Sequence, residues 1–94
     1  MKIYIAGPIT GKIDYKQKFM AAEARVKEMG HIAINPAFLP EGLNHYMDIC
    51  KAMLDQADAI MLLGGWEDSK GSLEELEHAK VMGKAIYTEL GVWG

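Results

Sequence analysis

The chain has 94 residues, half of them hydrophobic, and a net charge of −3. That composition suits one globular domain with a modest core and argues against a disordered chain. No basic run is present, which argues against polymeric nucleic acid as the main partner, although backbone N–H groups can still hold a single phosphate on a small molecule.

Cys50 is the lone cysteine, so no internal disulfide is possible, and no Cys/His spacing resembles a zinc site. The opening MKIYIAG is too short for a leader and lacks a cleavage pattern. No run approaches the ~18 apolar residues of a membrane span. A reducing cytoplasm and no membrane are therefore expected. The seven methionines are expected to act as flexible core filler.

In chain order, residues 2–6 (KIYIA) are β-branched and aromatic and predict a strand, broken off by GPITG. From Asp14 to Met29, Phe19, Ala22, Val26 and Met29 recur at three- and four-residue spacing. That spacing predicts an amphipathic helix stopped by Gly30. Residues 31–35 (HIAIN) predict a second strand ended by Pro36, followed by a loop over PAFLPEGLN. Residues 45–56 predict a second helix with Tyr46, Ile49, Cys50, Met53 and Leu54 on one side. Residues 58–64 (DAIMLLG) form a nearly continuous apolar run, as expected of a strand buried on both faces. GGWEDSKG predicts a loop, residues 72–82 a third helix ending at Gly83, and residues 84–90 a last strand.

Strands alternating with helices imply parallel pairing and right-handed crossovers. The expected fold is a single small, doubly wound, three-layer α/β sandwich over residues 1–94, flavodoxin- or Rossmann-like, with a mainly parallel sheet. Ligands in such folds bind beyond the carboxyl ends of the strands. Three loops lie there: AGPITG, NPAF and GGWEDSKG.

AGPITGK has the small residues of a cradle for phosphate or sugar oxygens, involving Gly7, Pro8 and Ile9, but it fits neither the P-loop nor G-x-G-x-x-G. It also reads as a plain turn. In the third loop and helix, Ser72-Leu73-Glu74-Glu75 fits a capping box with Ser72 as N-cap and Glu75 as its partner. Equally, a carboxylate in a first helical turn is kept ionised by the helix dipole and can attack an electron-poor sugar carbon. Ser69 and the N–H groups after Gly71 are placed to hold a hydroxyl or phosphate of the same ligand. Glu74 and Glu77 read as a solvated face. Trp66 either covers the sheet edge or forms a wall for a flat base. Tyr4 either packs in the core or hydrogen-bonds a carboxylate. Asn35 either faces the cleft or supports the turn at Pro36. His31, His45 and His78 have no partner at metal-ligand spacing; His78 shares a helix face with Glu75.

Taken together, IYIAGPITG, GHIAINPA, ADAIMLLGGWEDSKG and GSLEELEHAKVMGK resemble the nucleoside 2-deoxyribosyltransferase superfamily, nearest to the short branch called domain of unknown function 4406. The pattern S-x-G-x-x-x-E-x-x-x-A, here Ser69, Gly71, Glu75 and Ala79, is its most specific part. The resemblance implies that Glu75 attacks C1′ of a 2-deoxynucleoside or its 5′-monophosphate, releasing the base and forming a glycosyl ester. A second base or water then resolves that ester. It implies that Tyr4 orients the carboxylate, that Gly7 with its loop and Ser69 contact the sugar or 5′-phosphate, and that Asn35 and Trp66 lie toward the base. No metal or cofactor is implied, and a homodimer or higher homo-oligomer is. One position departs from the family pattern: Cys50 stands where an Asp is common, and a thiol cannot accept from two hydroxyls as a carboxylate does. The residues thus leave three expectations: an N-glycosidase or deoxyribosyltransferase, a nucleotide-binding module without turnover, or a scaffold in which Glu75 is only a cap.

Overall fold

The computed structural model describes residues 1–9, 14–40 and 42–89, and the backbone of 91–93. Within it run β1 (Lys2–Ala6), α1 (Tyr15–Glu28), β2 (Ile32–Ile34), α2 (Tyr46–Asp55), β3 (Ala59–Leu62), α3 (Lys70–Val81), β4 (Ala85–Thr88) and β5 (Gly91–Trp93). Single 3-10 turns at Pro36–Phe38 and Trp66–Asp68 interrupt the second and third loops.

The strands form one sheet in the order β2-β1-β3-β4-β5. The first four are parallel, with Tyr4 of β1 in register with Ile34 on one side and Ile60 on the other. β5 pairs antiparallel with β4. The fold is therefore the expected doubly wound α/β sheet, with an added fifth strand that the alternating pattern did not predict. A chain that turns straight back can pair antiparallel without a crossover helix, so no helical periodicity marks it.

Period-two side-chain alternation sends each strand's residues to opposite layers. On one face Ile3, Ile5 and Met61 pack with Tyr15, Phe19, Ala22 and Val26 of α1. On the other, Tyr4, Ala6, Ile60 and Leu62 pack with Cys50 and Leu54 of α2 and Leu76 and Ala79 of α3. Each large apolar side chain so buried contributes ~1.5–3 kcal/mol, before the entropy of ordering it. All four β3 residues are buried, which explains the unbroken apolar run.

Helix ends follow the sequence. Gly30 and Gly83 have φ of 83° and 71°, and their amides donate to Lys27 and Lys80 carbonyls one turn back. Both left-handed stops need a residue without Cβ strain. Two apolar expectations fail. Met29 lies past the end of α1 and is exposed, and Met1, Met20 and Met82 are exposed as well, so most methionines are not core filler. Each sits at a terminus or on an outward helix face, where the sheet offers no partner.

The chain passes from β1 outward to β2 and returns past β1 to β3, so the winding reverses between β1 and β3. The crevice beyond the carboxyl ends of these two strands is where such sheets open to ligands.

Candidate active site

An open cleft of about 1040 Å³ occupies that crevice. Its floor is the end of β1 with the following Gly7, Pro8 and Ile9. Tyr15 and Phe19 of α1 and Pro36 and Leu39 of the second loop wall one side. Tyr46, Met47 and Cys50 of α2 close the other, and Ser69, Gly71, Ser72 and Glu75 of α3 complete it.

The start of α3 differs from the capping-box expectation. Ser69, not Ser72, is the N-cap; its backbone is extended and its Oγ accepts from the Ser72 amide at 3.2 Å. The helix starts at Lys70, because the 3-10 turn brings the chain into helical direction early. Glu75 therefore lies in the second turn, facing inward, and does not cap. It is only 6% exposed. The Tyr4 hydroxyl donates to Glu75 Oε2 from the centre of the sheet. The dipole expectation fails for the same reason: burial dominates and pushes the Glu75 carboxyl up to about 7. Hydrogen bonds from Tyr4 and Cys50 oppose that rise, and the nearby Glu74 charge adds to it.

Tyr4 is fully buried, and burial followed by the Glu75 charge drives its phenol far above the ordinary range. Cys50 is a buried free thiol, also pushed up, chiefly by burial, so it stays neutral. Tyr46 donates to the Pro36 carbonyl at 3.3 Å, and burial raises its phenol too. The result is one buried carboxyl group with neutral donors behind it, in a largely apolar cleft that Asp68 and Lys70 also line. Once ionised, it is poorly solvated and held in one orientation, as a carboxylate nucleophile requires. Ser72 lines the same cleft, and its buried Oγ makes no hydrogen bond among the described residues.

The structure thus brings together Tyr4, Gly7, Pro8, Ile9, Ser69, Gly71 and Glu75. It does not bring Asn35 or Trp66 to the cleft. Asn35 caps the turn after it: its Oδ1 accepts from the Ala37 amide at 2.9 Å and its Nδ2 donates to Glu23 at 3.2 Å. Trp66 is half-buried against the α2–α3 side of the sheet. His78 turns away from Glu75 and contacts Asp55 at 2.6 Å, while His31 meets the N-terminal amine at 3.0 Å. Glu74 pairs with Lys51 at 3.0 Å, whereas Glu77 is exposed. Thr10, Gly11 and Lys12 of the first loop lie outside the described residues. Sequence reasoning did not assign Tyr15, Tyr46 and Met47 to the cleft. Tyr46 and Cys50 sit at i and i+4 on the apolar side of α2, and that spacing was the available signal.

Among the described residues, no group of three or more His, Cys, Asp or Glu side chains is placed to hold a metal ion, and no helix is long and apolar enough to cross a membrane.

Comparison with known proteins adds the family. The model of domain of unknown function DUF4406 matches residues 1–88. No curated protein matches the chain. Among solved structures, a 2-deoxyribosyltransferase from Bacillus psychrosaccharolyticus superposes with a TM-score of 0.72 at 20% identity, covering 94% of this chain and 71% of the other. A CMP N-glycosidase from Clostridium botulinum superposes with a TM-score of 0.63 at 22% identity, covering 94% and 67%. The chain is thus a member of the DUF4406 family, built on the nucleoside 2-deoxyribosyltransferase fold.

Proposed function

We propose that the cleft cleaves the N-glycosidic bond of 2-deoxynucleosides or their 5′-monophosphates through a glycosyl ester on Glu75. The observation that carries this reading is the buried Glu75 carboxyl, hydrogen-bonded by Tyr4 on the floor of an open cleft. The likeness in fold to a 2-deoxyribosyltransferase and a CMP N-glycosidase supports the substrate class.

In this mechanism the ionised Glu75 attacks C1′ as the C1′–N bond breaks. The bonding pair leaves with the base, which takes up a proton. The absent 2′-hydroxyl makes an oxocarbenium-like centre easier to form, and the carboxylate traps it, as in retaining glycosidases. A second base or water then displaces Glu75 from C1′ and restores the carboxylate. Tyr4 holds Glu75 in line. Gly7, Pro8 and Ile9 lie against the sugar, and Ser69 and Gly71 meet its hydroxyl or 5′-phosphate at the start of α3.

The test incubates the protein with deoxynucleosides and deoxynucleoside 5′-monophosphates, with and without a second free base, and follows base release by chromatography. Release or exchange is expected in the wild type and absent in Glu75→Gln; release that persists in Glu75→Gln overturns the proposal. The neutral thiol of Cys50 beside Glu75 favours one second reading, a nucleotide-binding module without turnover. Saturable thermal stabilisation by nucleotides with no base release distinguishes it.

A further inference from the structure

Ser72 is a polar cleft residue to which the proposed chemistry gives no role. It is 1% exposed and lines the cleft, and its Oγ is buried without a hydrogen-bond partner among the described residues. Ser72 lies in the first turn of α3, where no helical carbonyl four residues back is aligned to accept from its hydroxyl. Its amide, by contrast, is capped by Ser69 Oγ. An unpaired buried hydroxyl works against folding, and alanine would fit the helix better.

Ser72 precedes Glu75 by three residues, so the two share one face of α3 about 4.5 Å apart along the axis. With C1′ at Glu75, a group one turn along the helix is within reach of the sugar's own substituents. A hydroxyl both donates and accepts, so it suits a sugar hydroxyl or a phosphate oxygen. We infer that Ser72 is a specificity residue whose Oγ hydrogen-bonds an oxygen on C3′ or C5′ of the bound nucleoside or nucleotide. This rests on the glycosidic reading of the site.

The test compares wild type and Ser72→Ala on a 2′-deoxynucleoside, its 5′-monophosphate, and the 2′,3′-dideoxy and 2′,5′-dideoxy analogues. Ligand-free melting is measured alongside. The Tm of Ser72→Ala is expected to rise by about 5 °C, because an orphaned hydroxyl is removed. Its kcat/KM is expected to fall about tenfold on the deoxynucleoside. The fall should shrink to within about twofold on the one analogue lacking the contacted oxygen, which identifies that oxygen. If the oxygen is on C5′, the monophosphate arm separates phosphate from hydroxyl. A lower Tm, an unchanged kcat/KM on the deoxynucleoside, or equal losses on both analogues overturns the inference. The same compounds read by ligand-induced Tm shift keep the two ideas separable. A wild type that binds but releases no base overturns the glycosidic reading alone, and the Ser72 comparison then proceeds on binding. A wild type that neither binds nor cleaves any of them overturns both.

Discussion

Glu75→Gln should change how stability depends on pH, whether or not a substrate is present. The Glu75 carboxyl rises from an ordinary 4.5 to about 7 in the fold, because burial disfavours its charged form. The folded value lies above the unfolded one, so folding favours the protonated carboxyl. That contribution is complete below about pH 4.5, declines as pH rises, and is gone above about pH 7. At about 1.4 kcal/mol per pH unit, the gap amounts to ~3 kcal/mol, a large share of the ~5–15 kcal/mol of a typical domain. Glutamine stays neutral throughout, and its carbonyl oxygen can still accept from Tyr4. Urea denaturation followed by fluorescence between pH 4 and pH 9 should therefore show similar stabilities near pH 4.5 and an advantage of ~3 kcal/mol for Glu75→Gln at pH 8. Subtracting the two curves removes every titrating group they share. A difference constant with pH would mean that burial does not raise the Glu75 carboxyl. A wild type that gains on the variant as pH rises would mean instead that the fold favours the ionised carboxylate, as a first-turn cap would.

Tyr4→Phe removes a donor to the Glu75 carboxylate, so its pKa should rise further and the ascending limb of the pH–rate profile should move to higher pH; an unmoved limb counts against Tyr4 as the orienting group. Ser69→Ala removes the α3 cap and should cost about 1 kcal/mol, read as a fall in Tm of about 4–8 °C that Ser69→Asp largely restores. Gly7→Ala would place a Cβ at 3.0 Å from Leu63 Cβ, which is buried; a loss of about 1–3 kcal/mol is expected, seen as a lower urea midpoint at unchanged slope, together with weaker ligand binding.

The doubly wound sheet was legible because its elements carry strong local signals. Residues 3–6 and 59–62 are apolar runs bounded by breakers, and Gly30 and Gly83 sit where the helices stop. β5 carries no such signal, since its place depends on pairing with β4. In the cleft, Gly7 to Ile9, Ser69, Gly71 and Glu75 were legible as lining residues because loops after parallel strands converge on one edge. Asn35 lies in the right loop, but the following turn and Glu23 take up its amide. Trp66, for which the sequence left two readings open, packs against the α2–α3 layer after the 3-10 turn.

The order of the elements, their apolar faces and the loops that carry the chemistry-bearing residues can be read along the chain, because helix and strand periodicities and glycine stops are local properties. The environment of Glu75 arises only when the chain is folded. Locally it fits a cap. In the fold, helix α3 starts earlier and turns Glu75 inward onto Tyr4, a residue 71 positions away. Burial and a long-range hydrogen bond then set its charge, and neither is encoded in the spacing of its neighbours.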